Sequence, residues 1–351
     1  MDRTELTTLA TRLLNPIAGL HKQVIASFDT PQVGPYHQEG NYLVDHLIRM
    51  FNEWRRLAGR PEMSEVLEVA LNQVEYHIEN GEDLIALYIV LHDAWKGDEV
   101  MQVKLDGLPE MTMTRKSWAK WVKTMGSQDK DPVDIAKAKG MLQVSYEDHA
   151  EVAAVQLECF TETLKLPEWF VRVVLLHMVA IQLAQVNVPL YERSFANLPE
   201  EAWQFLTVVT WLDAQGAVGE DGNCNISGWN NLISSKWAAE SYRRVERAIR
   251  KADRLDGQKM ERALSDLRNS HDIFHNETPD ESIDRLKREC ALPKVTEADV
   301  RNALANIEGL GEALIATIAA EMATDGKLSP DTGRALGRFN KPVRDALKSL
   351  G

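Results

Sequence analysis

Apolar residues recur at helical spacing along almost the whole of this 351-residue chain, and that period constrains the fold more than any other feature. Leu43, Leu47, Met50 and Phe51 fall on one side of a helix, and so do Val152, Val155, Leu157 and Phe160. Each such stripe must be buried against another element, so the pattern predicts an all-α protein. One departure is Met101 to Leu105, where apolar and polar residues alternate and a short strand or hairpin is expected. Helix starts are marked by Thr278, with Pro279 in the first turn and Glu281 placed to close a capping box, and by Asn197 ahead of Pro199 and two glutamates. Turn-rich sequence from Gly216 to Gly228 and a change of character at Pro293 to Glu297 divide the chain into three parts. These are a large N-terminal domain (1–216), a charged helical connector (217–292) and a small C-terminal helical region (293–351).

A chain of this length buries a core that needs no covalent staple. Cys159, Cys224 and Cys290 are odd in number and far apart, which argues against a disulfide framework or a thiolate zinc site and fits a reducing, cytoplasmic setting. The opening MDRTELTTLATRLL has neither the basic start nor the apolar run of a signal peptide. Apolar runs such as Phe170 to Leu183 fall short of the roughly 20 residues a membrane span needs. A formal charge of -13 restricts any nucleic-acid contact to a local patch. There is no GxSxG elbow and no GxxxxGK[ST] loop, and no cysteine sits in an electropositive motif. Nucleophilic catalysis by Ser or Cys therefore has no support.

The segment EDLIALYIVLHDAWKGDE ends an apolar helix with His92 and Asp93 side by side, and Lys96 follows one turn later. Desolvating two such groups is costly unless a cation or hydrogen-bond partners compensate, and at a helix end adjacent side chains can reach one ion lying between them. Lys96 shares a face with His92 and is placed to hold a substrate phosphate. Upstream, GPYHQEGNYLVDHLIRM puts His46 on a second amphipathic helix behind a loop carrying His37 and Glu39. Downstream, TVVTWLDAQGA sets Asp213 alone on an apolar helix. Imidazoles mixed with carboxylates suit a divalent ion, Mn, Mg, Fe, Co, Ni or Zn, with positions left open for water and phosphate oxygen.

In their order along the chain, His46, then His92-Asp93, then Asp213 resemble the signature of the HD superfamily of metal-dependent phosphohydrolases. YHQEGNYLVDH and LHDAWKG are similar to the HD domain attached to bacterial tRNA nucleotidyltransferases and related poly(A) polymerases. SYEDHAEVAAVQLECFTETLKLPEWFVRVVLLHM resembles that family's G-H-E, R-L-x-L-P and H-H-M segments, and WLDAQG its A-D-A-x-G. The likeness covers roughly residues 34 to 216. It implies an HD-type helical domain with a C-terminal helical extension, and His46, His92, Asp93 and Asp213 as primary metal ligands. His149 and His177 match positions that supply further ligands where two metals are bound, and Asp93 would then bridge the ions. The sequence departs from the pattern at Trp95 and Asp148, which replace glycines, and at Met178, which follows the one histidine kept from H-H-M. No nucleotidyltransferase head with its Gly-Ser and paired-Asp signature precedes the motifs, so CCA addition is not expected.

The resemblance implies one or two divalent ions activating a water for in-line attack on phosphorus, with Asp93 and Lys96 as the catalytic groups. The substrate would be a nucleotide or an RNA end such as a 2',3'-cyclic phosphate, with Lys96 as a contact; His37 and Glu39, ahead of His46, read either as loop-ordering hydrogen-bond groups or as substrate contacts. Arg243, Arg247, Arg250 and Arg254 fall on one helical face opposite Tyr242, Val245, Ile249 and Ala252, so Arg243 and Arg247 are candidate RNA contacts. Glu240, Glu246 and Asp253 equally allow a solvated, paired face. The cluster of Lys327, Arg334, Arg338, Lys341, Arg344 and Lys348 carries the same two readings. A second His-Asp pair, His271 and Asp272, with His275 four residues on, reads as a solvated helix end. Two rivals stand against the enzyme acting on RNA ends: a non-catalytic RNA-binding or adaptor protein on an HD scaffold, and a free-nucleotide phosphohydrolase.

Overall fold

A computed structural model describes residues 1–96, 101–125, 131–146, 148–292, 295–348 and 350. The chain is predominantly α-helical, with 64% of residues in helices and one small sheet. In order the helices are α1 (Arg3–Leu14), α2 (Leu20–Ser27), α3 (Leu43–Ala58), α4 (Glu65–His77), α5 (Gly81–Leu91), α6 (Arg115–Met125), α7 (Pro132–Ala138), α8 (His149–Glu158), α9 (Thr161–Leu164) and α10 (Glu168–Ile181). They continue with α11 (Val188–Ser194), α12 (Glu200–Gly216), α13 (Ser227–Arg250), α14 (Gly257–Arg268), α15 (Pro279–Glu289), α16 (Glu297–Leu304), α17 (Glu312–Asp325), α18 (Pro330–Ala335) and α19 (Asn340–Lys348). The chain divides into two compact units, Met1–Trp237 and Ala238–Gly351. That division falls within α13, whereas the sequence pattern places its first boundary in the loop ahead of this helix. The second expected boundary begins at Pro293 and Lys294, which lie outside the described residues.

In the first unit α12 packs against α3, α4 and α10, and α10 also packs on α8. After a first turn in which Glu82 and Asp83 are exposed, the helix α5 is buried from Leu84 through Leu91. A helical run this apolar is a core element rather than a surface one. The burial of α3 follows the expected stripe of Leu43, Leu47, Met50 and Phe51. The other sequence stripe requires correction, because Val155 is 61% exposed and α8 buries Ala153, Ala154 and Leu157. A three-stranded antiparallel sheet has the order β2 (Met111–Met113), β1 (Met101–Leu105), β3 (Met141–Ser145). Its first strand coincides with the expected one. Val33, Met101, Val103, Trp118, Val133 and Val144 form a separate small core around it.

Capping follows the expected chemistry at Thr278, whose hydroxyl accepts from the Glu281 amide while Pro279 opens α15. At α12 the helix begins at Glu200 and its cap is Pro199, two residues later than Asn197, with no side-chain cap. In the second unit Val300, Leu304, Ile318, Leu336 and Val343 gather α16 to α19 around one core. Among the described residues no helix is long and apolar enough to cross a membrane.

Candidate metal centre

Five helices, α3, α5, α8, α10 and α12, bring the six metal candidates to one place in the first unit. His92 caps the C-terminus of α5 and is fully buried, and Asp93 follows at 4% exposure. His46 on α3, His177 on α10 and Asp213 on α12 are buried as well. His149 is the first residue of α8, four positions after β3 ends at Ser145. Asp148 precedes it at φ 52, in the left-handed region. A glycine reaches that conformation without strain, and a short acidic side chain tolerates it.

The six residues fall into two triads: His46, His92 and Asp213, and Asp93, His149 and His177. Within each, one ligand atom per residue lies within 4.8 Å of the others. In the first triad His46 Nε2 is 3.0 Å from Asp213 Oδ1, and His92 Nε2 is 4.0 Å from the same oxygen. Asp93 stands between the triads. Its Oδ2 is 3.5 Å from His92 Nε2 and its Oδ1 3.4 Å from His149 Nε2, so one oxygen turns toward each side. Lys96 Nζ donates to Asp93 Oδ2 at 2.8 Å.

Backbone carbonyls fix three of the imidazoles. The Nδ1 of His92 lies 3.2 Å from the Tyr88 carbonyl, that of His149 lies 2.9 Å from the Tyr146 carbonyl, and that of His177 contacts the Val174 carbonyl. An Nδ1–H donated there leaves Nε2 as the free lone pair, which is how a metal-binding histidine is usually held. Tyr88 stacks on His92 at 4.9 Å with planes 8° apart. His46 is supported instead by Glu39, whose Oε1 lies 3.8 Å from His46 Nδ1 and accepts from His37 Nδ1 at 2.9 Å. Glu39 Oε2 accepts from the Val218 amide at 3.1 Å, which ties the loop to the end of α12.

Electrostatics follow this packing. Burial pushes His92, His149 and His177 below the usual imidazole value, so they stay neutral and basic. Burial also opposes charge on His46, but the hydrogen bond and charge of Asp213 outweigh it and raise its pKa. Burial would lift both carboxyls. For Asp93 the charges of Lys96 and the surrounding histidines reverse that, and for Asp213 the His46 hydrogen bond leads; both end below the ordinary carboxylate range.

These residues fit a divalent cation. His92 Nε2, His149 Nε2 and Asp93 Oδ1 are buried with no hydrogen-bond partner among the described residues, an arrangement that costs free energy in a protein interior unless something else satisfies it. Two buried His/Asp groups are thus able to hold metal ions, and all their members except His92 line a cavity of about 450 Å³ together with His37 and Lys96.

Other sequence candidates belong to the second unit and join none of these ligand groups. Arg243 and Arg247 are exposed on α13 in the second unit. On the same helix Arg244 pairs with Asp280, and Arg250 with Glu246 and Glu261. Arg254 lies beyond the end of α13, so the arginine stripe is shorter than the spacing suggested. His271, Asp272 and His275 sit exposed in the turn after α14 and join no ligand group among the described residues.

Sequence reasoning missed two supporting glycines. A Cβ on Gly216 would lie 2.6 Å from His46 Cε1, and one on Gly40 would overlap the Asp45 carboxylate. That carboxylate accepts from the Asn41 and Tyr42 amides at the start of α3. The signal was available for Gly216, three residues after Asp213 and on the same helical face. Comparison with protein-family models, with curated proteins and with solved structures finds no match to this chain.

Proposed function

We propose that this protein is an HD-type metal-dependent phosphohydrolase that cleaves phosphate esters of nucleotides or RNA ends with water as the nucleophile. The observation that carries the proposal is the pair of buried ligand triads beside one cavity shared with Lys96, with His92 Nε2, His149 Nε2 and Asp93 Oδ1 lacking hydrogen-bond partners among the described residues. A scaffold kept only for binding would gain nothing from buried, unsatisfied nitrogen and oxygen atoms. Divalent ions held there would supply Lewis acidity and an activated water.

The protein's own residues do the rest. His92, His149 and His177 present Nε2 lone pairs fixed by backbone carbonyls. Asp93 offers one oxygen to each triad and uses one of them to hold Lys96. The Lys96 ammonium lines the cavity and is placed to neutralise a phosphate oxygen as charge builds on it. The buried helices α5, α10 and α12 keep bulk water from the inner side of the centre.

The test is a screen of the purified protein with added Mn, Mg, Fe, Co, Ni or Zn against bis(p-nitrophenyl) phosphate, with Asp93→Ala beside it. Metal-dependent turnover lost in the variant is expected. A metal-free protein indifferent to every added ion, or activity that survives Asp93→Ala, would overturn the proposal.

A further inference from the structure

We infer that the cavity takes a small ester carrying a single phosphate, whose organic part is a planar base-like ring stacked on Tyr36. This rests on the proposed phosphohydrolase reading and narrows it, setting a nucleoside monophosphate apart from a triphosphate or a nucleic-acid chain.

Charge is the first ground. Among the described residues lining the cavity, Lys96 is the sole lysine or arginine, and it already binds Asp93. Asp93 and Asp213 face the same space. The metal centre can receive one phosphate group, but each further phosphate would set added negative charge against walls that, among the described residues, hold no further lysine or arginine. Sites for triphosphates and for nucleic-acid backbones rely on several lysines or arginines.

Size is the second ground. At about 450 Å³ the cavity lies toward the small end of the roughly 300–1,000 Å³ typical of small-molecule sites. It suits a compact ligand that is mostly enclosed.

The third ground is the rest of the cavity lining. Met178, Ile181, Leu183 and Ala184 make it apolar. Tyr36 lines the same cavity and is 60% exposed. It directly precedes His37, whose ring centroid is 6.3 Å from that of His46, so the chain holds an exposed aromatic side chain close to the metal ligands. Such a ring offers a stacking face to a planar ligand. Two exposed carboxamides line the cavity too, Gln182 and Asn225. Asn225 Oδ1 accepts from Ser227, which leaves its Nδ2 donor for a ligand. The Gln182 carboxamide has no protein partner among the described residues. An apolar wall, an aromatic platform and amide groups able to read a ring edge describe a base rather than a bare sugar.

The test compares Mn-loaded protein acting on adenosine 5'-monophosphate, adenosine 5'-triphosphate and ribose 5-phosphate, with Tyr36→Ala and Tyr36→Phe, and measures adenosine 5'-monophosphate affinity by calorimetry. The monophosphate is expected to exceed both other compounds in kcat/KM by about ten-fold or more. Tyr36→Ala should weaken its binding and raise its KM by about ten-fold, within the range of base–aromatic stacking. The KM for ribose 5-phosphate should not change, and Tyr36→Phe should behave as the parent. A preference for the triphosphate, or an equal effect of Tyr36→Ala on monophosphate and sugar phosphate, overturns the inference while leaving the phosphohydrolase reading standing. Failure to hydrolyse all three compounds and bis(p-nitrophenyl) phosphate with any metal overturns that reading itself.

Discussion

Gly216→Ala sets two effects of known size against each other beside the metal centre. Gly216 is the last residue of α12, and alanine there gains up to about 1 kcal/mol of helix propensity. The added Cβ, however, would lie 2.6 Å from His46 Cε1, 2.8 Å from His46 Nδ1 and 2.7 Å from Met50 Cγ. Both neighbours are fully buried, His46 at 2% and Met50 at 0% exposure, so neither can swing into solvent. Overpacking of this kind costs about 1–3 kcal/mol, and the easiest relief is to push the His46 ring away from Asp213. The expected outcome is a net loss of about 1–2 kcal/mol, a melting temperature lower by about 2–8 °C at the scaling for a unit of this size, and at least ten-fold weaker metal binding. Calorimetric melting and a metal titration on the same preparation read both. A variant that melts higher and binds metal as the parent does would refute the packing argument for Gly216.

Glu39→Gln should lower metal affinity about ten-fold, as loss of a carboxylate behind a ligating histidine does, with little change in melting temperature; unchanged affinity in a metal titration would remove Glu39 from the support of His46. Metal entry should displace protons near neutral pH, read by calorimetry in buffers of different ionisation enthalpy. The source is His46, whose pKa Asp213 raises in the metal-free protein. The sign is that of a raised histidine: its contribution to metal-free stability is complete below the unfolded value near 6.5 and fades as pH rises through the higher folded value. His46→Gln should displace no proton, and a parent protein that displaces none would contradict the assignment. Asp148→Gly should raise the melting temperature by about 1–3 °C, because φ 52 is strained for a residue with a Cβ and its carboxylate makes no cap hydrogen bond; a fall would show that Asp148 has another role.

Much of the fold could be read from the period of apolar residues, because α3, α5 and α10 bury continuous faces that no other structure would hide. The strand at Met101–Leu105 was readable from alternation, whereas β3 was not. Its burial alternates poorly and its register shifts beside Leu105. Val155 misled because α8 packs closely through alanines, and a period alone does not say which apolar side chain faces inward. The metal candidates stood out as polar groups on apolar helices, but their division into triads depends on side chains brought together from 46 to 213. The fixing of His92, His149 and His177 by backbone carbonyls leaves no trace in residue identity. Tyr36, Gln182 and Asn225 belong to the cavity only through the folding of loops that sequence periodicity does not address.

Metal content per chain tests the account's centre most directly. Protein purified without chelator, then equilibrated with Mn or Co and analysed by elemental mass spectrometry, should hold two ions. His46→Gln and His149→Gln should each lose one, and Asp93→Asn should weaken both, because its two oxygens turn toward different triads. A parent chain that holds no metal after equilibration, or one whose metal content is indifferent to all three substitutions, would contradict the account.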